Sequence, residues 1–133
     1  MSRDPATEGR RWLDQATDDL ETAALLVDHG RYAVACFLSQ QAAEKAIKGL
    51  LYHEGADTVL GHSVAALCQE LRSRYPELAD QCVRWAALDQ HYIPTRYPDA
   101  LPGGTPADVY TLEQARAATE SAHEVLQEMR ART

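Results

Sequence analysis

Apolar side chains recur three or four residues apart over long stretches of this sequence, and this spacing constrains the fold more than any other feature. The first stretch follows Asp4-Pro5, which offers an N-cap residue and a proline at the first helical position. Gly30 supplies its stop signal. Its apolar residues share one face of an α-helix, and they are Leu13, Ala16, Leu20, Ala23 and Val27. The stretch therefore predicts an amphipathic first helix.

The same spacing predicts a second helix from about Arg31 to Glu54, with Gly55 as its stop. The side chains expected to face inward from this helix are Tyr32, Cys36, Ser39, Ala43, Ile47 and Leu50. Gly and Pro otherwise cluster outside the periodic stretches, and the sequence is rich in Ala, Leu, Glu and Gln. This composition is typical of a helical protein.

Two shorter helices are predicted next. Ser63 can cap the first of them, which ends near Arg74 and turns Leu67 and Leu71 inward. Pro76 can begin the second, which runs as one continuous helix until Pro94. Its predicted buried stripe comprises Leu78, Cys82, Trp85, Leu88 and Tyr92.

A long loop rich in proline and glycine precedes the last helix. It reads IPTRYPDALPGGTPAD from Ile93 to Asp108, and loops of this length inside one domain are usually functional or mobile. The last helix begins at Thr111, because Thr111-Leu112-Glu113-Gln114 matches a capping box. Its stripe comprises Leu112, Ala115, Ala118, Ala122, Val125 and Met129. Together these elements predict an all-α fold, an antiparallel four-helix bundle with a short additional helix, formed as a single domain over residues 1–133.

Charge and cysteine content exclude several classes of protein. The 133 residues carry a net charge of −7, whereas domains that cover long nucleic acids with a cationic surface usually run basic. No apolar run is long enough to cross a bilayer, and the first residues contain no apolar leader segment. The three cysteines are widely spaced and form no CxxC pair, which is typical of reduced thiols in the cytoplasm. We therefore expect a cytoplasmic protein with no membrane segment.

Motifs for metal and cofactor chemistry are absent from the sequence. It contains no glycine-rich phosphate loop, no GxSxG, no HExxH and no carboxylate cluster at metal-ligand spacing, and its five histidines are scattered. We therefore expect no bound metal and no cofactor.

Two polar segments have a composition suited to binding phosphate. In the first, Gln40-Gln41-Ala42-Ala43-Glu44-Lys45-Ala46-Ile47-Lys48, Lys45 and Lys48 offer positive charge, although the segment taken alone is more typical of a solvated helix face. The second segment runs from Asp89 to Asp99. It contains Arg96, whose planar charged guanidinium suits a phosphate group, beside Tyr97, whose ring can stack on a base. The alternative is that Asp99 pairs with Arg96 while Tyr97 packs on the bundle.

Taken together, three segments resemble the HEPN domain, the nucleotide-binding domain of higher eukaryotes and prokaryotes. They are GRYAVACFLSQQAAEKAIKGLLYHEG, GHSVAALCQEL and LDQHYIPTRYPDA, and the resemblance runs from about Trp12 to about Arg130. It implies a helical bundle that is commonly a homodimer and that often works with a minimal nucleotidyltransferase in a toxin–antitoxin-like pair. Many members are also metal-independent endoribonucleases with an Arg-x4–6-His motif. Arg84 and His91 match that motif with six residues between them.

Three functions follow as alternatives. In the first, a dimer binds a nucleotide or single-stranded RNA through Arg96 and Tyr97, with Lys45, Lys48, His62 and Asp99 nearby. In the second, His91 acts as general acid or base and Arg84 stabilises charge on the phosphorus, in a composite ribonuclease site across the dimer. In the third, the bundle only assembles a partner complex. The acidic net charge favours a mononucleotide or a short single strand over a long duplex.

Overall fold

A computed structural model describes residues 4–133. Residues 1–3 lie outside it, and they begin the segment that was expected to contain no apolar leader. Over the described residues the fold is all-α. The helices are α1 (Pro5–Asp28), α2 (Tyr32–His53), α3 (Val64–Arg74), α4 (Ala79–Ala86), α5 (Pro106–Val109) and α6 (Leu112–Ala131). Three short segments are 3₁₀ helices, and they are Pro76–Leu78, Ala87–His91 and Pro98–Ala100. The predicted helical bundle is confirmed.

The predicted capping residues begin their helices as expected. Asp4 accepts a hydrogen bond from the Thr7 backbone N–H at the start of α1, and Ser63 accepts one from Ala66 at the start of α3. Thr111 forms a reciprocal capping box with Gln114 at the start of α6. These starts follow from sequence because a cap depends on residues only three positions away.

One prediction about the second half of the chain is wrong. The helix beginning near Pro76 is not continuous, because the chain changes from α-helix in α4 to a 3₁₀ segment at Ala87–His91. The predicted long loop before α6 is confirmed, and it contains the 3₁₀ segment Pro98–Ala100 and the single turn α5. Proline begins both of these short elements, as its fixed φ favours.

Helix α2 lies at the centre of the bundle, packed against α1, α6 and α3 and the 3₁₀ segment Ala87–His91. Fourteen of its 22 residues are buried, and Ile47 and Leu50 are fully enclosed. The three cysteines, Cys36, Cys68 and Cys82, are free thiols inside this core. A helix covered on so many sides must also bury some of its polar residues, and this is what forms the site described below.

Helices α1 and α2 cross closely at two glycines, Gly9 and Gly49. A Cβ atom added at Gly9 would lie 2.7 Å from the Gly49 carbonyl oxygen and 2.8 Å from the His53 Cβ. A Cβ atom added at Gly49 would lie 2.9 Å from the Leu13 Cγ. The two helices can approach this closely only because neither position carries a side chain.

Candidate functional site

Three polar residues of α2, spaced four apart, are buried rather than solvated. Gln40 is fully buried, and Glu44 and Lys48 are 3% and 5% exposed. The expectation of a solvated helix face is therefore wrong for these positions. The cause lies far away in sequence, because the loop after α2 and the 3₁₀ segment Ala87–His91 cover this face.

The buried pair Glu44–Lys48 holds His62 at the surface. Lys48 Nζ donates to Glu44 Oε1 at 3.0 Å and to the Gly61 carbonyl at 2.6 Å, while Gln40 Nε2 donates to the His62 carbonyl at 2.9 Å. The His62 Nδ1 lies 3.1 Å from Glu44 Oε1. Gly61 has φ +96°, a conformation that favours glycine. His62 is thus fixed through its ring and its backbone, while its side chain remains 65% exposed.

Asp89 closes the same network at the N-terminus of α3. Its carboxylate accepts hydrogen bonds from the Val64 and Ala65 backbone N–H groups at 2.8 and 3.0 Å. It also accepts from Ser63 Oγ at 2.8 Å and from Gln40 Nε2 at 3.2 Å. A carboxylate is stabilised there by the unpaired N–H groups and the positive end of the helix dipole. Asp89 therefore ties the chain preceding the long loop to α2 and α3.

Arg96 is surrounded by aromatic rings. Its guanidinium carbon lies 4.4 Å from the ring centre of Phe37, 4.7 Å from that of Tyr92 and 5.2 Å from that of Tyr97. The Arg96 Nε donates to the Tyr92 carbonyl at 2.8 Å. The Tyr92 ring also stacks with the His62 ring, with centres 5.6 Å apart and planes 14° apart. We call these residues, Phe37, His62, Tyr92, Arg96 and Tyr97, the stacking surface.

The interpretation that Arg96 pairs with Asp99 is wrong. Within residues 4–133 no ion pair joins Arg96 to any carboxylate, and its terminal amino groups make no hydrogen bond there. Asp99 lies exposed in the short 3₁₀ segment after Tyr97, and Tyr97 itself is 51% exposed rather than packed on the bundle. Arg96 therefore keeps its charge and its terminal donors available to a ligand.

Neither lysine of α2 offers a free charge. Lys45 Nζ forms a 2.6 Å ion pair with Asp19 of α1. Lys48 Nζ forms an ion pair with Glu44 and donates a hydrogen bond to the Gly61 carbonyl. Lys48 thus contributes to the site indirectly, by holding the segment that carries His62, whereas Lys45 links α2 to α1.

Arg84 and His91 are not brought together within one chain. The Arg84 side chain is 57% exposed and forms a 2.6 Å ion pair with Glu124 of α6. His91 is 5% exposed, and its ring meets the Tyr110 ring edge-on with centres 5.7 Å apart. Burial lowers the pKa of His91, and its Nδ1 has no hydrogen-bond partner in the described part of the chain. Between the two residues the chain changes from α-helix to a 3₁₀ segment at Ala87.

Sequence reasoning missed Phe37, Glu44, Asp89 and Tyr92 as parts of the site. The available signal was the spacing of Gln40, Glu44 and Lys48, which places three polar residues on one face of a helix otherwise rich in alanine.

Neither a metal-binding cluster nor a membrane-spanning helix is found among the described residues. Over residues 4–133 no three His, Cys, Asp or Glu side chains are grouped so as to hold a metal ion. None of the helices in that range combines the length and apolar character needed to cross a membrane.

Comparison with known proteins identifies the family. The model of the HEPN domain matches residues 10–132, and the chain therefore belongs to the HEPN family. A curated relative from Methanocaldococcus jannaschii, named "Putative toxin MJ1304", is 27% identical over 125 residues, which is 87% of this chain and 82% of that protein.

Three solved structures share the fold and more than a third of the sequence. The protein TT1696 from Thermus thermophilus is 39% identical, with a TM-score of 0.89 over 95% of this chain and 98% of that one. The archaeal HEPN homologue ST0689 is 36% identical, with a TM-score of 0.75 over 98% of both chains. A HEPN domain protein from Thermotoga maritima is 35% identical, with a TM-score of 0.66 over 91% of this chain and 95% of that one.

Proposed function

We propose that this HEPN protein binds a nucleotide or single-stranded RNA on the stacking surface. The observation that carries the proposal is the state of Arg96, whose guanidinium is held against aromatic rings without an ion pair in the described residues. A guanidinium whose terminal donors are free suits the oxygens of a phosphate group. The exposed Tyr97 and His62 rings offer stacking faces for bases beside it.

The test is the affinity for AMP and for a short RNA, measured by isothermal titration calorimetry at fixed salt. Arg96→Ala removes the phosphate donor, and we expect an affinity loss of about tenfold or more, since a charge-assisted hydrogen bond contributes ~1.5–3 kcal/mol. Arg11→Ala is the matched control, because it removes an exposed arginine that is already paired with Glu8. Equal affinities of Arg96→Ala and the wild-type protein would contradict the proposal.

We further propose that the protein acts as a homodimer beside a minimal nucleotidyltransferase, in a toxin–antitoxin-like pair in the cytoplasm. The HEPN family and the toxin name of the archaeal relative support this role. Sedimentation equilibrium of the purified chain tests the dimer, and co-purification with the product of a neighbouring gene tests the pair. A protein that remains monomeric and recovers no such product would contradict both statements.

The toxin name of that relative also favours a second function, metal-independent RNA cleavage by Arg84 and His91 across the dimer. Within one chain Arg84 is paired and His91 is buried, so this activity requires a dimer that exposes His91. Cleavage of total RNA in EDTA by the wild-type protein, but not by Arg84→Ala or His91→Ala, would establish it. Intact RNA in all three reactions would contradict cleavage and leave nucleotide or RNA binding as the function. If no nucleotide binds either, the remaining function is assembly of a partner complex.

A further inference from the structure

A small cavity at the end of α2 is lined by basic side chains, and no acidic side chain is among the described residues around it. Its volume is about 250 Å³, and its lining residues are Ala6, Arg10, Leu13, His53, Arg130 and Thr133. We call it the basic cavity. Phe37 of the stacking surface and His53 are 16 residues apart on α2, which is about 24 Å along the helix axis. The basic cavity is therefore separate from the stacking surface.

Other cavities of the described chain combine their basic side chains with acidic ones. In the cavity at the start of α6, Arg116 is accompanied by Glu113 and Glu120. In the cavity beside α3, Arg74 is accompanied by Glu70, with which it forms an ion pair. The basic cavity thus concentrates positive charge, although the chain as a whole carries a net charge of −7.

Packing against α1 places His53 and Arg130 beside Arg10. A Cβ atom added at Gly9, the residue before Arg10, would lie 2.8 Å from the His53 Cβ. The Arg130 Nη2 donates to the carbonyl of Leu13 at 3.3 Å. Residues 10 and 13 are three positions apart, so they lie on the same side of α1. The three basic side chains therefore meet at one stretch of this helix.

The guanidinium of Arg10 is not neutralised by the described residues. It is exposed, and within residues 4–133 it forms neither an ion pair nor a hydrogen bond. His53 and Arg130 lie in the last turns of α2 and α6, where the helix dipole stabilises a cation. Arg10 lies in the second turn of α1, near its N-terminal end, where the dipole gives no such stabilisation. The helix dipoles thus account for two of the three basic residues and not for Arg10.

Arg130 also keeps donors for a ligand. Its contacts with Leu13, Asp14 and Thr17 all use Nη2, and over residues 4–133 its Nε and Nη1 make no hydrogen bond. Together with the guanidinium of Arg10, these N–H groups can donate to several oxygens of one anion. A guanidinium suits such an anion because its parallel N–H groups match two oxygens at once.

We propose that the basic cavity binds a small divalent oxyanion of the phosphate type, held by Arg10 and Arg130 with His53 beside them. The volume of about 250 Å³ lies below the ~300–1,000 Å³ typical of sites for drug-sized ligands. It therefore suits a free phosphate ion or the phosphate end of a larger molecule. This site does not depend on nucleotide binding at the stacking surface.

The test is calorimetric titration of the purified chain with inorganic phosphate at pH 7.5 and constant ionic strength. Arg10→Gln removes the unpaired guanidinium and keeps a polar side chain. We expect this variant to bind phosphate about tenfold or more weakly, because charge-assisted hydrogen bonds are lost. Arg10→Lys keeps the charge without the parallel donors, and we expect it to lose less affinity than Arg10→Gln.

Ribose 5-phosphate distinguishes the two sources of the phosphate group. If it binds as tightly as inorganic phosphate and Arg10→Gln weakens both, the site accepts the phosphate end of a larger molecule. If it binds much more weakly while Arg10→Gln still weakens inorganic phosphate, the ligand is the free ion. Either result supports the site.

Two controls locate the bound anion. Arg116→Gln removes an exposed arginine whose cavity also contains Glu113 and Glu120, and we expect it to leave the phosphate affinity unchanged. The titrations are repeated with Arg96→Ala as the starting protein, which removes the phosphate donor of the stacking surface. Circular dichroism spectra confirm that each variant is folded before its affinity is measured.

Three results would overturn this inference. They are equal phosphate affinities of the wild-type protein and Arg10→Gln, no binding of phosphate at millimolar concentrations, and loss of phosphate binding in Arg96→Ala. The last result would place the anion on the stacking surface. None of the three contradicts nucleotide binding, because that function is tested separately by the effect of Arg96→Ala on the affinity for AMP.

Discussion

His91 illustrates how a single buried group can make stability depend on pH. It lies in the core beside Tyr110, with its Nδ1 unpartnered among residues 4–133, and burial lowers its pKa from the ordinary value near 6.5. The unfolded chain therefore binds a proton at a pH where the folded chain does not. Stability contributed in this way is complete above about pH 6.5 and is lost as the pH falls below it.

We expect His91→Phe to reduce this loss, because phenylalanine fills the space and has no proton to bind. The measurement is the urea unfolding free energy at pH 7.5 and pH 5.5, where the wild-type protein should lose more stability than the variant. His123→Ala serves as control, since that histidine is exposed on α6. Equal losses in the wild-type protein and His91→Phe would show that His91 does not cause the pH dependence.

Glu44 and Lys48 form an ion pair in which both side chains are almost completely buried. They are 4% and 6% exposed, and Lys48 also binds the Gly61 carbonyl. Glu44→Gln keeps the shape of the side chain but leaves Lys48 as an uncompensated buried charge, so we expect a loss of about 3 kcal/mol in the free energy of unfolding. Urea denaturation provides the measurement.

The control for this prediction is Glu70→Gln, which breaks the exposed ion pair with Arg74. That pair should contribute less than about 1 kcal/mol, because water already solvates both charges. A similar loss in the two variants would mean that burial does not determine the importance of Glu44.

At the scale of the helices, the crossing of α1 and α2 depends on Gly9 and Gly49. Replacing a helical glycine by alanine normally stabilises a protein by about 1 kcal/mol. At Gly9 the added Cβ would lie 2.7 Å from a backbone oxygen of α2, which only a shift of one helix can relieve. Such overpacking costs about 1–3 kcal/mol, so the steric effect is expected to prevail.

We therefore expect Gly9→Ala to lower the free energy of unfolding by about 1–2 kcal/mol. Gly103→Ala is the control, because an added Cβ there meets no atom within 4 Å and the residue has no positive φ. Thermal denaturation of the two variants beside the wild-type protein tests this. An increase in melting temperature for Gly9→Ala would show that the helices separate without cost.

The same scale shows what a sequence can predict. Helix starts at Asp4, Ser63 and Thr111 were predictable because each cap is formed by residues three positions apart. The burial of Gln40 and Glu44 was not, because it depends on residues between 18 and 49 positions away. The local spacing of apolar residues predicts a helix, but it does not show which distant segments of the chain will cover that helix.

Among the residues of the candidate site, too, some could be predicted from the sequence and others could not. Arg96, Tyr97 and His62 were chosen by residue type, and the structure places them around Tyr92, while their role in binding stays a prediction. The supporting residues Asp89 and Glu44 were missed, because their roles exist only once α2, α3 and the segment before the long loop meet. The pair Arg84 and His91 stays a prediction, because the composite site was expected across a dimer, although the continuous helix assumed for the two residues is interrupted by the 3₁₀ segment at Ala87.

At the scale of the whole molecule, the net charge of −7 limits how a polyanion can bind. Each neutralised phosphate of a single strand contributes about −0.7 to the slope of log affinity against log salt concentration. With Arg96 as the cation that engages phosphate, we expect a slope near −0.7 for tetra-adenylate. Titrations at several sodium chloride concentrations provide the slope, and a value of about −3 would indicate that several phosphates are neutralised.

The buried cysteines make the folded chain unreactive toward thiol reagents. Burial raises the pKa of Cys36 to about 11 and raises that of Cys68 as well, and only the thiolate form attacks such reagents. At neutral pH these sulfur atoms can therefore be alkylated only when the bundle transiently opens. The rate of alkylation therefore measures how often the bundle opens, without a denaturant or an engineered label.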